Sequence, residues 1–451
     1  MKNEKKQDMT AELAEGKILP LVFKLTIPAV IAQLITFLYN IVDRMYVARI
    51  EGSGMDALAA LGIVLPITLI MQAFANLVGL GGAPRAGIKL GEGKVDEANR
   101  IFHTAFCLLV LLGVVIGAAA FCFARQIVLL FGCPESAVEF AVSYLKIYAC
   151  GTIFVMLAQG LNPFILTQGY SWLAMSSVLL GALINIALDP LFIFAFDMGI
   201  AGAALATALS QLVSFCILAW LFLHGRSIVR VHVRCISKRP GLYGEILLVG
   251  FPTICRQGFA SLSSALLNNA AAVYSDAAVA AVTISNKVYL PVRSIVIGIG
   301  QGFQPVAGYN FGAGDKKRTR QAFWFSVLLG TAVCIVCAAV ISLFPDEIMH
   351  FFRDDAEVTR IGRQALLYAC AVMPLMGYST YVNQLYQCLG FHQAATLLAS
   401  CRNGLLYVPL ILILPRMLGL PGVEMSQPGA DLLTFVVSLP FQIWFFRHKL
   451  R

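Results

Sequence analysis

Two stretches of this chain share one pattern, GLGGAPRAGIKLGEG at 79–93 and GQGFQPVAGYNFGAG at 300–314. At an offset of 221, Gly79, Gly81, Pro84, Ala86, Gly87, Gly91 and Gly93 fall on Gly300, Gly302, Pro305, Ala307, Gly308, Gly312 and Gly314. The correspondence continues outward. IYACG (147–151) echoes LYACA (367–371), and GIAG (199–202) echoes GLPG (419–422), both at 220, while IPAV (27–30) echoes FPTI (251–254) at 224. Separated matches at nearly one offset describe an internal duplication, and a duplication organises everything else in a fold. A phosphate-cradling loop is excluded, because no strand precedes these glycines and no GK[ST] follows them. They read instead as tight helix ends leading into cytoplasmic loops.

The material being duplicated is apolar. Of 451 residues, 59% are hydrophobic and 13% charged, with a mean hydropathy of +0.80. Soluble domains run at about 45–50% apolar and about 25% charged, and they divide beyond ~250–300 residues rather than enlarge one core. The surplus apolar surface must face lipid. Twelve runs reach the ~20 residues that span a bilayer as a helix: 20–47, 57–83, 101–123, 138–166, 172–195, 200–223, 244–271, 279–307, 321–344, 361–388, 394–415 and 422–446. None shows the two-residue alternation of a lipid-facing barrel strand.

An even number of spans puts both termini on one side, and the basic residues choose the side. With a cytoplasmic N-terminus, the inner segments hold 20 Lys and Arg and the outer segments 6, the asymmetry expected of cytoplasmic loops. The net charge of +9 is therefore a rim that sets topology. It is not a nucleic-acid surface, since it is not gathered into one aromatic-studded patch. The lead MKNEKKQDMTAELAEGK lacks the apolar core and small-residue cleavage site of a secretory signal. The expected organisation is a polar segment (1–17), a six-helix lobe (18–223), a basic linker (224–243), a second six-helix lobe (244–446) and a short tail (447–451). The fold class is an all-α integral membrane protein of the plasma membrane. Its two parallel bundles are related by a pseudo-two-fold axis along the membrane normal, an arrangement that places substrate between the halves.

Twelve cysteines do not signal a disulfide framework. Cys107, Cys150, Cys216 and Cys370 sit in apolar helices as small hydrophobes. The CxxC of Cys334 and Cys337 has no second ligand pair, and no histidine has HExxH-type spacing, so no metal site is expected. Catalytic residues are not expected either. A membrane transferase needs clustered acids facing the cytoplasm for Mg²⁺, whereas Asp354 and Asp355, the adjacent acids at a helix edge, fall in an outer loop.

Charges inside the spans are the informative residues, because each costs ~2.5–3.5 kcal/mol near a helix centre. The first lobe carries Asp43 in helix 1 and Asp189 in helix 5, with Asn185 one turn before Asp189 on the same face. Thr207 lies about seven residues into helix 6. At ~1.5 Å per residue these groups sit ~6–11 Å below the outer helix ends. Two carboxylates, an amide oxygen and a hydroxyl at one depth can hold a monovalent cation or a shared proton. The alternative is an internal hydrogen-bond network, with Arg44 pairing Asp189. In the second lobe the counterparts of Asp43 and Asp189 fall near 264–267 and 408 and are not acidic. That lobe instead carries Arg256, Lys287, Arg293 and Arg402, one deep acid, Asp431, and the amides Gln257, Asn268, Asn269, Asn286, Gln301 and Gln304. Either Asp431 pairs with Arg256 or Arg402 and the remaining bases meet helix-end carbonyls, or the lobe takes an anionic or zwitterionic compound. Tyr39, Met71, Phe74, Phe154, Met156, Phe164 and Met175 are candidates for an adaptable pocket.

The two six-helix lobes, VDRMYVA after helix 1, QPVAGYNFGAG after helix 8 and GVEMSQPGADLLTF in helix 12 together resemble the multidrug and toxic compound extrusion (MATE) family. The resemblance covers about residues 18–446 and is nearest to Gram-positive drug exporters. It implies efflux of amphipathic organic compounds in exchange for H⁺ or Na⁺ by alternating access, with no other cofactor. It implies a cation-binding role for Asp43, Asn185, Asp189 and Thr207, and a helix-1 bend at Pro28. The family's second-lobe cation-binding carboxylates in helices 7 and 10 have no counterpart here. The implied substrate cavity draws on Gln33, Tyr39, Met71, Phe154, Met175, Arg256, Asn268, Asn286, Gln301 and Gln304. Expected partners are small organic substrates and the lipid bilayer, with no nucleic acid, for a bacterial chain acting as a single copy. The alternative function is a flippase for a lipid-linked or anionic precursor within the same wider superfamily.

Overall fold

A computed structural model describes residues 11–50, 54–224 and 240–450. Most of the expected linker (224–243), the first ten residues and Arg451 lie outside that range. Twelve long helical elements follow one another: α1 Ile18–Val47, α2 Gly54–Gly91, α3 Val95–Cys122, α4 Val138–Thr167, α5 Ser171–Pro190, α6 Gly199–Leu223, α7 Pro240–Ala272, α8 Asp276–Gly312, α9 Lys316–Leu343, α10 Ala356–Cys388, α11 His392–Leu418 and α12 Leu420–His448. Short helices at Ala124–Leu130 and Pro345–Phe352 occupy matching places between α3 and α4 and between α9 and α10. Two elements contain a π-helical turn, Leu191–Ala195 directly after α5 and Cys401–Leu405 within α11.

Eleven helices are long and apolar enough to cross a bilayer among the described residues, and α8 is not one of them. The reason lies in its 37 residues, which include Asn286, Lys287, Arg293, Gln301, Gln304 and Asn310. This helix is walled by other helices and a polar cavity rather than by lipid: Arg293, Gln301 and Gln304 line that cavity, and Asn310 is buried.

One sequence expectation is corrected in part. The helices do end inside the glycine-rich stretches, at Gly91 and Gly312, but most of each stretch is still helical. Their glycines mark where backbones of the two lobes cross. Gly91 faces the Tyr309 carbonyl, and Gly312 faces the Ile88 carbonyl. Those two contacts exchange under the 221-residue repeat. Gly298 packs on Val30 of α1, and its repeat-mate position Leu77 packs on Gly250 of α7. Gly302 lies on Thr26, while Gly81 lies on Ile246 and Gly250. Helices in lipid gain no hydrophobic drive from meeting one another, so close backbone approach through small residues supplies the packing. The turns come just after: Gly93 (φ 74°) and Gly314 (φ 80°) adopt the left-handed conformation that glycine accepts without a Cβ clash.

All these crossings lie in the cytoplasmic halves of α1, α2, α7 and α8, so the lobes are apposed on that side. A clamp reinforces them. The Arg318 guanidinium donates to the Leu13 and Gly16 carbonyls at 3.1 and 2.8 Å and to Asn310 Oδ1 at 2.8 Å. It thereby ties the segment before α1 to the inner end of α8. Pro28 is buried inside α1, which stays helical on both sides of it. Proline has no N–H, so the Lys24 carbonyl loses its helical donor there.

Candidate functional site

The largest concavity is a cavity of about 550 Å³ between the lobes. Its walls are amide- and hydroxyl-rich, including Gln33, Tyr39, Gln72, Asn76, Gln159, Asn162, Gln211, Gln257, Gln301 and Gln304. Among the described residues no carboxylate lines it, and Arg293 is the one charged lining residue. Across the lobe boundary, Gln33 Nε2 donates to Gln301 Oε1 at 3.0 Å. Of the expected cavity residues, Gln33, Tyr39, Met175, Gln301 and Gln304 line it. Four do not. Met71 packs into an apolar core of the first lobe, and Phe154 stacks against Phe215 with ring centroids 6.2 Å apart. Asn268 is exposed on the outside of α7. Asn286 faces a separate small pocket beside Glu424 and Asp431. Helical phase separates these from the cavity-facing residues, and composition does not reveal phase in a bundle apolar on most faces.

Behind the first-lobe wall lie the expected oxygen ligands. Asp43, Asn185 and Asp189 are buried, at 6%, 1% and 0% exposure. Asn185 also lines the cavity, and its Nδ2 lies 3.4 Å from both Asp189 Oδ1 and Thr207 Oγ1. The Asp43 and Asp189 carboxyls are within electrostatic reach of each other, and Tyr39, which lines the cavity, is within reach of both. Tyr144 bonds Thr207 and lies within reach of Asp43. The Asp189–Pro190 pair ends the regular part of α5, since Pro190 removes the donor for the Ile186 carbonyl and the π-helical turn follows. Such turns recur where a helix presents a group out of regular phase.

Asp43 Oδ1, Asn185 Oδ1 and Asp189 Oδ2 are buried with no hydrogen-bond partner. Buried polar atoms are normally paired, because an unmade bond costs about 1–3 kcal/mol. Arg44 is exposed and forms no ion pair with either acid among the described residues, so its charge acts on Asp43 only from a distance. Three unpaired acceptor oxygens facing one place fit a small cation or protons. A finished internal network would leave no acceptor over, so the unpartnered oxygens weigh against that alternative.

The second lobe resolves its charges differently. Arg402 Nε lies 2.6 Å from Asp431 Oδ1, and Nη2 lies 3.2 Å from Oδ2. Tyr289 OH and Gln427 Nε2 donate to the same carboxylate at 3.0 and 3.2 Å. Arg402 rides on the π-helical turn of α11, and Asp431 is 3% exposed. Arg256 lines a recess next to the cavity rather than the cavity itself. Sequence reasoning missed the first-lobe amides Gln72, Asn76, Gln159, Asn162 and Gln211. The signal was present, as amides within apolar runs, but amides were gathered systematically only in the second lobe. It also missed Glu424, which lies near the start of α12 and is buried at 6% with Oε2 unpartnered.

Comparison with known proteins agrees with this architecture. The chain is 25% identical over 416 residues to Multidrug export protein MepA of Staphylococcus saprophyticus, covering 92% of this chain and 91% of that one. The fold matches a MATE crystal structure solved in complex with MaL6 at a TM-score of 0.91 and 22% identity, covering 97% of this chain and 98% of the other. It matches a MOP superfamily transporter from Pyrococcus furiosus, described by a reversed polarity of its binding pocket, at 0.90 and 22%, covering 98% of both chains. The MatE family model matches residues 28–191 and again 252–413, once in each lobe. With the duplicated lobes, the glycine crossings and both halves matched, the chain belongs to the MatE family.

Proposed function

We propose that this chain is a secondary-active exporter that moves amphipathic organic compounds out across the plasma membrane in exchange for H⁺ or Na⁺, and that it catalyses no covalent chemistry. The observation that carries the reading is the set of unpartnered buried oxygens on Asp43, Asn185 and Asp189 behind the wall of the 550 Å³ cavity. The family membership and the MepA name of a relative that spans nearly the whole chain support the export direction and substrate class.

The coupling works through charge and packing. Two ionised carboxylates in one buried site repel each other, and a proton or cation there removes that repulsion. Asn185 is shared by the cation site and the cavity wall, so occupancy of one changes the hydrogen-bonding surface of the other. The lobes are apposed on the cytoplasmic side through glycine crossings, and separating them exposes the cavity to the cytoplasm. A ligand shifts such an equilibrium only by its differential affinity for the two states. The lining of amides and hydroxyls, with Tyr39 and Met175, suits compounds of varied shape, because amides both donate and accept.

The test is efflux from proteoliposomes driven separately by a pH gradient and by a sodium gradient, in wild type, Asp189→Asn and Asp43→Asn. One gradient drives wild-type efflux, and either variant loses at least tenfold of that driven rate. Unchanged cation-driven efflux in Asp189→Asn refutes the assignment.

A further inference from the structure

Beside the cavity, in the second lobe, lies a recess of about 80 Å³ that shares Leu80, Arg293, Ile297, Gln301 and Gln304 with it. Three guanidinium groups line this recess: Arg256, Arg293 and Arg402. One of them, Arg402, is matched by Asp431. The other two are not. Neither Arg256 nor Arg293 has a hydrogen bond or an ion pair with a described residue, and the acids of the first-lobe site lie elsewhere. Arg293 lies within electrostatic reach of Arg256 and Arg402 and also of Asp431, but that one carboxylate is bonded to Arg402 and faces three guanidiniums, so the recess keeps an excess of positive charge. The rest of its polar lining is amide and hydroxyl, including Gln384, whose buried Oε1 also lacks a partner.

A charged group within a membrane helix costs ~2.5–3.5 kcal/mol, and two unpaired guanidiniums side by side add mutual repulsion. Each carries five N–H donors in a planar fork that matches a carboxylate or phosphate bidentately. Side chains set this way, opening onto a transport cavity, specify an anion. We propose that the recess is a binding site for the anionic group of an amphipathic compound, a carboxylate, sulfonate or phosphate, held between Arg256 and Arg293. The apolar body of that compound then lies in the central cavity. The transported class accordingly includes zwitterionic and anionic amphiphiles. This assignment rests on the export reading for its meaning but not for its test, which measures binding without any gradient.

The probes are a diaminoxanthene dye bearing a free benzoate and the methyl ester of the same dye. Their binding to purified protein in phosphatidylcholine nanodiscs is followed by fluorescence anisotropy. Wild type binds the acid more tightly than the ester. That preference falls about tenfold in Arg256→Gln or Arg293→Gln, the loss expected for one charge-assisted contact, and vanishes in the double variant. Arg293→Lys keeps the charge but not the fork and gives an intermediate preference, which guards against a Gln variant that fails to fold. Adding phosphatidylglycerol separates two sources of the same chemistry. Displacement of the acid assigns the recess to lipid phosphate, and retention assigns it to the transported compound. Equal binding of acid and ester in wild type, or a preference indifferent to both arginines, overturns the proposal. Loss of gradient-driven ester efflux in Asp189→Asn is read independently, so failure of the coupling reading and failure of the anion site are distinguishable.

Discussion

Replacing Gly298 by alanine tests whether the glycine crossings hold the lobes together on the cytoplasmic side. A methyl carbon at this position would lie 2.6 Å from the Cα of Val30 and 2.9 Å from its backbone nitrogen and Cγ2. Carbon atoms in good contact sit ~3.5–4.0 Å apart, so α1 and α8 must part by about 1 Å. Most of the obstruction is backbone, which no rotamer change relieves. Overpacking of this kind costs ~1–3 kcal/mol, and only the state in which the two helices touch bears the cost. At 1.4 kcal/mol per tenfold, the ratio of cytoplasm-closed to cytoplasm-open molecules falls about 5- to 150-fold. The assay is a distance distribution between spin labels at Lys94 and Lys316, both exposed on inner turns of opposite lobes. The long-distance population grows in Gly298→Ala. Gly79→Ala is the control, because its methyl would meet Gly160 of the same lobe, 2.7 Å from the carbonyl oxygen. It lowers the melting temperature without changing the label distance. An unchanged distribution in Gly298→Ala, or the same shift in Gly79→Ala, refutes the reasoning.

Other perturbations read other parts of the structure. Asp431→Asn strands the buried Arg402 (side-chain exposure 14% against 3% for the acid) and destabilises by about 3–5 kcal/mol. The double variant Arg402→Met/Asp431→Leu recovers most of that, as thermal melting in detergent will record; equal loss in the single and double variants contradicts a buried pair. Arg318→Ala removes two hydrogen bonds to the segment before α1 and one to Asn310 of α8 and increases the long-distance population of the Lys94–Lys316 labels; an unchanged distribution shows the clamp to be idle. Glu92, beyond the end of α2, is held below the ordinary glutamate range by bonds from Lys94 and Lys89. Its stabilising effect is therefore present above the unfolded-state pKa and lost as pH falls through the folded one. Glu92→Gln accordingly melts below wild type at neutral pH, and the gap closes on acidification; a gap independent of pH removes the ion cluster as its cause.

Legibility followed the physics of each feature. Asp43, Asn185, Asp189 and Thr207 were readable because a carboxylate in an apolar run is conspicuous locally, and helical rise converts sequence position into depth. Their unpaired oxygens were not readable, since that depends on where Arg44 points. The glycine stretches were seen and misread in part. A glycine in a sequence looks the same whether it ends a helix or admits a neighbouring backbone, and the difference lies in a helix more than 150 residues away. The polar face of α8 was visible as residues, but Asn286 and Gln301 point to different pockets, and only packing assigns phase in a helix surrounded by protein.

By itself the sequence determined the membrane environment, the helical class, the duplication and the orientation. Each of these is a sum over many residues or a local cost, and such quantities do not depend on contacts. Tertiary structure decided the pairings: which arginine meets Asp431, which two are left facing the recess, and which glycines join the lobes. Pairing is a property of two distant positions at once, and one chain read along its length shows only one of them at a time.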